Sequence, residues 1–135
     1  MSWTYCQTTG RLYTPQGVHI ATGYAGGNEG KNPEGVSNHE LQEEKGIGPL
    51  PVGLYTFGEV VLKSQLGPFA IPLVPDEANQ MYGRGGFYCH GDTFELNQSA
   101  SEGCIIMPRI VRNEMYASPD RQIQVVEVYN AQTDN

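Results

Sequence analysis

Glycine and proline interrupt this sequence so often that they constrain its fold more than any other feature. The 135 residues include 17 glycines, nine prolines and eight tyrosines. Glycine and proline favour tight turns, whereas tyrosine and the β-branched residues favour strands. The pattern therefore predicts a mainly β protein built from many short strands. The length suits one domain with its own hydrophobic core, so we expect residues 1–135 to form a single domain.

Apolar and aromatic runs between the turns predict where the strands lie. We expect them at residues 3–9, 17–24, 52–62, 86–90 and 121–129, with the turn GRLYTPQG between the first two and the 52–62 strand in the centre of the sheet. The segment PFAIPLVP at 68–75 reads as an edge strand, because its prolines cannot donate ladder hydrogen bonds.

The sequence predicts one clear helix and one long polar loop. PRIVRNEMYAS at 108–118 begins with a proline suited to a first helical turn, and SP ends it. Its expected apolar face consists of Ile110, Val111, Met115 and Tyr116. Residues 26–48 exceed an ordinary connection, which is typical of a functional loop. Within it, SNHELQEEK favours a short helix with Ser37 or Asn38 as the N-cap.

The charge balance excludes several classes of partner. A formal net charge of −7 argues against nucleic-acid binding and against docking on an anionic membrane surface. No apolar run reaches 18 residues, so we expect no membrane insertion. The first residues lack the basic and apolar regions of a secretory signal peptide. We therefore expect synthesis in the cytoplasm and, if the protein acts elsewhere, export by another route.

The cysteine count leaves at least one thiol free or bonded between molecules. Cys6, Cys89 and Cys104 cannot all pair with one another, and a Cys6–Cys89 disulfide stays open. Their spacing matches no zinc-binding pattern. We therefore expect neither a metal nor a cofactor.

The stretch FYCHGDTFELNQSASEGCIIM, residues 87–107, has the composition of a thiol active site. Cysteine becomes a strong nucleophile when a histidine or a helix N-terminus favours its thiolate. Cys104 precedes the predicted helix, and a hairpin-like connection would bring His90 beside it. Gly103 lets the backbone approach a ligand, and neighbouring amides form a nest for an oxyanion. An inert core thiol is the alternative for Cys104 alone, and Cys89, facing the other way from His90, is read as core.

This pattern resembles the L,D-transpeptidase (YkuD-type) catalytic motif, H-G-x…S-H-G-C-[IV]-R. It is more similar still to the branch of type VI secretion effectors with an L,D-transpeptidase-like domain. The segment GPLPVGLY (48–55) resembles the G-P-[IL]-P-x-G-x-Y signature of that branch, and WTYCQTTGRL resembles its opening hairpin. The residues that carry the likeness in the motif are Gly83, Arg84, Gly86, Phe87, His90, Gly91, Asp92, Ser101, Gly103, Cys104 and Ile105.

The resemblance covers nearly the whole chain and implies both a fold and a reaction. The fold is a small L,D-transpeptidase-like β-sandwich or barrel with one short helix after the catalytic cysteine. The implied catalytic residues are Cys104 as nucleophile and His90 as base, with Ser101 or a backbone carbonyl orienting the ring and Gly103 beside the oxyanion. The thiolate would cleave the bond between the third stem-peptide residue, a diamino acid, and D-alanine in peptidoglycan. Water, a D-amino acid or a second stem peptide would then accept the acyl group.

The resemblance also implies a set of substrate-binding residues, with two departures from the family. The set is Tyr24, Arg84, Gly91, Asp92, Glu102 and Arg109. Glu102 stands where the broad family has histidine, and Ile106 stands where it has arginine. Arg84 and Arg109 are therefore the candidates for the role of that arginine.

The implied partners are peptidoglycan stem peptides, a cognate immunity protein and a component of a secretion apparatus. Activity in the periplasm of target bacteria follows from the same resemblance. Two other functions stay open. One is a papain-like cysteine amidase, although those enzymes usually place cysteine before histidine in the chain. The other is a non-catalytic module that binds the cell wall or a protein partner on the same scaffold.

Overall fold

One nine-stranded sheet organises the molecule. The computed structural model describes residues 1–62, 67–92 and 103–129, and the statements below concern these residues. The strands are β1 (Trp3–Cys6), β2 (Arg11–Tyr13), β3 (His19–Thr22), β4 (Tyr24–Ala25), β5 (Gly53–Phe57), β6 (Ile71–Pro75), β7 (Phe87–His90), β8 (Ile105–Ile106) and β9 (Gln122–Val126). The helix α1 spans Arg109–Ala117, and short 3₁₀ turns span Pro33–Gly35 and His39–Leu41.

The order of the strands curls the sheet back on itself. It runs β3-β2-β1-β9-β5-β6-β7-β8-β4, so the two edge strands are consecutive in the chain. Only Gly23 separates them, and the result is a nearly closed, barrel-like sheet. A Cβ atom on Gly23 would lie 1.8 Å from the carbonyl oxygen of Ile106. Only glycine therefore fits between β3 and β4, where the chain passes the backbone of β8.

The interior of the barrel is filled by alternate side chains of the central strands. Tyr5, Leu12, Tyr55, Ile71 and Ile123 are fully buried. Each such side chain contributes about 1.5–3 kcal/mol through its removal from water. The core therefore fixes the registers that position β7 and β8.

Most of the sequence predictions for this sheet are confirmed. The protein is mainly β with one α-helix among the described residues. β5 lies between β9 and β6, so the strand predicted at 52–62 is central, although it ends at Phe57. The strand predicted at 86–90 is β7, and three of its four residues are buried. The strand predicted at 121–129 is β9 and ends at Val126.

The predicted turn GRLYTPQG is wrong, because it contains a strand. β2 occupies Arg11–Tyr13, and both Leu12 and Tyr13 are buried. The chain reverses only over Thr14–Gly17, where the Gly17 amide donates to the Thr14 carbonyl at 2.8 Å. Burial of Leu12 and Tyr13 favours a strand here, although the glycine and proline on either side are typical of a turn.

The segment at 68–75 is also not an edge strand. Its strand β6 lies between β5 and β7, in the interior of the sheet. Pro72 lies beside Gly58, just beyond the end of β5, and its carbonyl accepts from the Gly58 amide at 2.8 Å. The missing N–H of Pro72 therefore costs no hydrogen bond within the β5–β6 ladder.

The helix predicted at 108–118 is present, with one error in its apolar face. Pro108 is the N-cap of α1, and Val111 and Met115 are buried as predicted. Ile110 is instead 69% exposed, because it lies about 100° around the helix from Val111. In the polar loop the short helix is a 3₁₀ turn, capped by the Asn38 side chain, which accepts from the Glu40 amide.

Candidate active site

Two parallel strands bring the predicted nucleophile and base together. β7 pairs with β8 through Cys89 and Ile105, and through His90 and Ile106. One residue earlier, the amide of Tyr88 lies 3.4 Å from Sγ of Cys104. The hairpin-like connection predicted at GDTFELNQSASEG falls mainly on residues 93–102, which lie outside the described part of the chain.

His90 and Cys104 lie on the same face of this strand pair. Cys89 and Ile105, the intervening positions, are fully buried in the core. Because side chains alternate along a strand, the His90 and Cys104 side chains project from the opposite face. A strand spacing of about 4.8 Å and a rise of about 3.3 Å per residue separate their Cα atoms by about 8 Å. The register therefore makes them diagonal neighbours.

One hydrogen bond orients the His90 ring, and its burial favours the neutral form. Its ring is buried, and Nδ1 lies 2.9 Å from the carbonyl oxygen of Gly91. Burial lowers the pKa of His90 below its usual value, and Arg112 lowers it further, while the Gly91 contact and Asp92 act in the other direction. A neutral ring that donates from Nδ1 leaves Nε2 as a proton acceptor.

The three cysteines have different environments. All are free thiols, with Cys6 and Cys89 buried and Cys104 half-buried. Burial raises the pKa of Cys89 to about 12, which keeps that thiol protonated and inert. The prediction that Cys89 belongs to the core is confirmed. Cys104 is therefore the most accessible of the three thiols.

Arg84 anchors the polar loop next to Cys104. Its buried guanidinium donates to the carbonyl oxygens of Gln42, Gly48 and Pro49, at 2.5, 3.0 and 2.8 Å. The guanidinium carbon also lies 5.1 Å from the centre of the Phe87 ring. Burial lowers the pKa of Arg84, and an electrostatic interaction with Cys104 opposes that shift. Arg84 thus adds positive charge near the thiol while its donors hold the loop.

Gly103 has no room for a side chain. Its φ of +141° disfavours other residues, and a Cβ atom there would lie 2.6 Å from Nη2 of Arg84 and 2.7 Å from the Phe87 ring. Its carbonyl oxygen accepts from the Leu50 amide at 3.0 Å. Gly103 therefore lets the chain pass between the loop and β7 immediately before Cys104.

An open pocket of about 590 Å³ lies at the end of β7, past His90. Within it, the hydroxyl of Tyr24 donates to Oδ1 of Asp92 at 2.5 Å. Four predicted substrate-binding residues, Tyr24, Gly91, Asp92 and Arg109, thus come together. The lining residues are Thr22, Gly23, Tyr24, Gly91, Asp92, Ile106, Met107, Pro108, Arg109 and Arg112.

Two of the predicted site residues fall outside the described part of the chain, and one residue at the pocket was not predicted. Ser101 and Glu102 lie outside the described residues. Arg112, which was not predicted, is buried at the pocket wall. The only sign of Arg112 in the sequence is its position beside Val111, on the side of α1 that is buried against the sheet.

The described residues offer no group of three or more histidine, cysteine, aspartate or glutamate side chains that could hold a metal ion. In the same part of the chain, no helix has the length and apolar character needed to cross a membrane. Comparisons with protein-family models, curated proteins and solved structures found no match to this chain.

Proposed function

We propose that this protein is a cysteine enzyme that modifies peptidoglycan. It cleaves the bond between the third residue of a tetrapeptide stem, a diamino acid, and the terminal D-alanine. The observation that carries the proposal is the placement of the half-buried Cys104 thiol and the neutral His90 ring on one face of adjacent strands. The identity of the substrate rests on the resemblance of the 87–107 motif to L,D-transpeptidases.

The environment of Cys104 suits a nucleophile. The Tyr88 amide approaches Sγ as a hydrogen-bond donor, and the Arg84 guanidinium contributes positive charge. Both favour a thiolate over a thiol. Nε2 of His90, left as an acceptor by the Gly91 contact, takes the thiol proton.

The reaction then proceeds in two steps. The Cys104 thiolate attacks the carbonyl carbon of the third residue, and backbone amides near Gly103 stabilise the oxyanion, at about 3–4 kcal/mol per donor. The protonated His90 gives its proton to the departing amine of D-alanine, which leaves a thioester on Cys104. His90 next deprotonates the acceptor, which displaces the thiol and regenerates the enzyme.

The acceptor decides the outcome of the second step. Water gives an L,D-carboxypeptidase, a free D-amino acid gives exchange, and a second stem peptide gives a cross-link. The polar loop at residues 26–48 reaches the site through Arg84, which binds the carbonyls of Gln42, Gly48 and Pro49. A loop so placed controls the access of water to the thioester.

The place of action follows from the substrate, which lies outside the cytoplasm. We propose that the protein acts in the periplasm of target bacteria as a toxin delivered by a secretion apparatus, with a cognate immunity protein in the producing cell. This part rests on the resemblance to type VI secretion effectors. Growth arrest upon expression in the periplasm, but not in the cytoplasm, would support it. Equal growth with the protein and with Cys104→Ala in both compartments would exclude it.

The reaction is tested by digesting purified muropeptides and determining the masses of the products. We expect tetrapeptides to lose one D-alanine residue with the protein and with Cys89→Ala, the matched control. Cys104→Ala should leave the tetrapeptides intact, and His90→Gln should cleave them far more slowly. Unchanged muropeptides under reducing conditions, with water and D-amino acids supplied as acceptors, would contradict the proposal.

A further inference from the structure

We infer that the pocket at the N-terminus of α1 binds the carboxylate of a D-amino acid. If the proposed function holds, that carboxylate belongs to the terminal D-alanine of the stem peptide or to a free D-amino acid that acts as acceptor. The residues that build the site are Arg112, Arg109 and the first amides of α1.

Arg112 supplies the strongest indication of a ligand. It is only 5% exposed, and Nη1 donates to the carbonyls of Pro68 and Phe69, both at 3.1 Å. Its Nε atom is buried and has no hydrogen-bond partner among the described residues. A Cβ atom on Gly91 would lie 3.1 Å from Nη2, which places that nitrogen at the pocket wall. The unpaired Nε makes burial of this guanidinium costly, and an acceptor bound at Nη2 would offset part of that cost.

The first turn of α1 borders the same pocket through Pro108 and Arg109. Pro108, the N-cap, has no side-chain oxygen to accept from the helix, and no acidic residue occupies the first turn. The amides of Val111 and Arg112 bond to the Pro108 carbonyl, whereas those of Arg109 and Ile110 precede the first helical hydrogen bonds. Amides at a helix N-terminus, together with the helix dipole, favour a negatively charged group.

The charges around the pocket favour a monovalent anion. Arg109 and Arg112 contribute two positive charges, and Asp92 contributes one negative charge. The net charge of the lining is therefore about +1, with the Asp92 carboxylate held by the Tyr24 hydroxyl. Asp92 would repel a second negative charge. A carboxylate fits this balance better than a phosphate dianion.

The position of the pocket relates it to the proposed reaction. Ile106 lines the pocket and lies two residues after Cys104, a distance of about 7 Å along the strand. The pocket therefore adjoins the segment that follows the nucleophile in the chain, and a D-amino acid bound there lies on the C-terminal side of Cys104 along β8.

The test measures binding to Cys104→Ala, which cannot turn over a substrate. N-acetyl-D-alanine represents the end of the stem peptide, its methylamide lacks the carboxylate, and free D-alanine represents the acceptor. Changes in the amide NMR signals of Arg109 and Ile110 report occupancy. In the same background, Arg112→Lys and Arg109→Gln remove pocket donors, while Arg11→Gln makes the same charge change as Arg109→Gln at an exposed site.

We expect N-acetyl-D-alanine to shift both signals and its methylamide to leave them unchanged. Arg112→Lys should weaken binding roughly tenfold, Arg109→Gln by less, and Arg11→Gln not at all. Binding of free D-alanine but not of N-acetyl-D-alanine would assign the site to the acceptor, and the reverse would assign it to the stem peptide.

Equal binding of the acid and its methylamide, or binding of neither acid, would overturn the inference, and this comparison requires no variant at Arg112. Unweakened binding in a folded Arg112→Lys protein would do the same. Because the experiment measures binding and no turnover, it tests the carboxylate site independently of the proposed cleavage of muropeptides.

Discussion

Nδ1 of His90 lies 2.9 Å from the carbonyl oxygen of Gly91, the next residue in the chain. Since a carbonyl only accepts, this contact assigns the ring proton to Nδ1 and leaves Nε2 basic. The backbone carbonyl is one of the two orienting partners that the sequence analysis offered, the other being Ser101.

The activity should persist below the usual pKa of histidine. Burial, the largest influence, lowers the pKa of His90 below 6.5, so the ring stays unprotonated and able to accept the thiol proton in mildly acidic solution. We expect the acidic limb of kcat/KM for D-alanine release to fall below pH 6.5. A limb with its midpoint above pH 6.5 would show that the ring is not the buried base described here.

The same pKa shift predicts how stability depends on pH. The unfolded chain binds a proton at His90 more readily than the folded chain, so stability is lost as the pH falls through 6.5 toward the folded pKa. Thermal unfolding of the protein and of His90→Asn at a series of pH values measures this. The difference in their free energies of unfolding should shift in favour of the variant below pH 6.5. A constant difference would contradict a lowered pKa.

Alkylation should distinguish the three thiols. Cys104 is half-buried beside an amide donor, whereas Cys89 is fully buried with a pKa of about 12 and Cys6 is 2% exposed. We expect iodoacetamide to modify Cys104 in the folded protein at a rate at least tenfold above that of either other thiol. Peptide mapping by mass spectrometry measures the rates, and denatured protein provides the control in which all three react. Equal rates in the folded protein would argue for an inert Cys104.

Substitution of Gly103 should be more damaging than substitution of another glycine with a positive φ. Gly103→Ala meets Arg84 and Phe87 within 2.7 Å, in addition to a backbone cost of about 1–3 kcal/mol. Gly83 also has a positive φ, +71°, but a Cβ atom there meets nothing within 4 Å. Denaturant unfolding should therefore show a larger loss of stability for Gly103→Ala than for Gly83→Ala. Equal losses would mean that the packing around Gly103 is looser than described.

Loss of Arg84 should detach the polar loop from the site. Arg84→Met removes donors to three carbonyls, and hydrogen bonds to a charged group contribute about 1.5–3 kcal/mol each. We expect unfolding to become easier by about 3 kcal/mol and alkylation of Cys104 to slow as its nearby positive charge is lost. Arg11→Met, at an exposed position, should change stability by less than about 0.5 kcal/mol. If both variants behave alike, Arg84 does not hold the loop.

The local sequence signals were sufficient for the core strands and for the buried position of Cys89, whereas the catalytic roles of His90 and Cys104 stay predictions. A short apolar and aromatic run predicted β7, and the alternation of side chains along a strand placed Cys89 on the side opposite to His90. Single-sequence patterns did not reveal which strands are neighbours. The prolines of β6 suggested an edge strand. β6 nevertheless lies inside the sheet, because β5 ends at Phe57 and the missing N–H of Pro72 therefore faces no residue of β5.

Residues whose role depends on distant parts of the chain were the least predictable. Arg84 binds carbonyls more than 30 residues away, and Arg112 binds carbonyls more than 40 residues away. No periodicity in the sequence reports such contacts. Arg112 lies on the buried side of α1, where an apolar residue is the ordinary expectation.

The most direct test of the central claim is to trap the acyl-enzyme. The protein is mixed with a tetrapeptide stem, quenched in acid within the first turnovers, and mapped by mass spectrometry. We expect an acyl group equal to the stem tripeptide on the peptide that contains Cys104, together with one released D-alanine. In His90→Gln this adduct should form far more slowly. Release of D-alanine by Cys104→Ala at the rate of the unmodified protein would show that Cys104 is not the nucleophile.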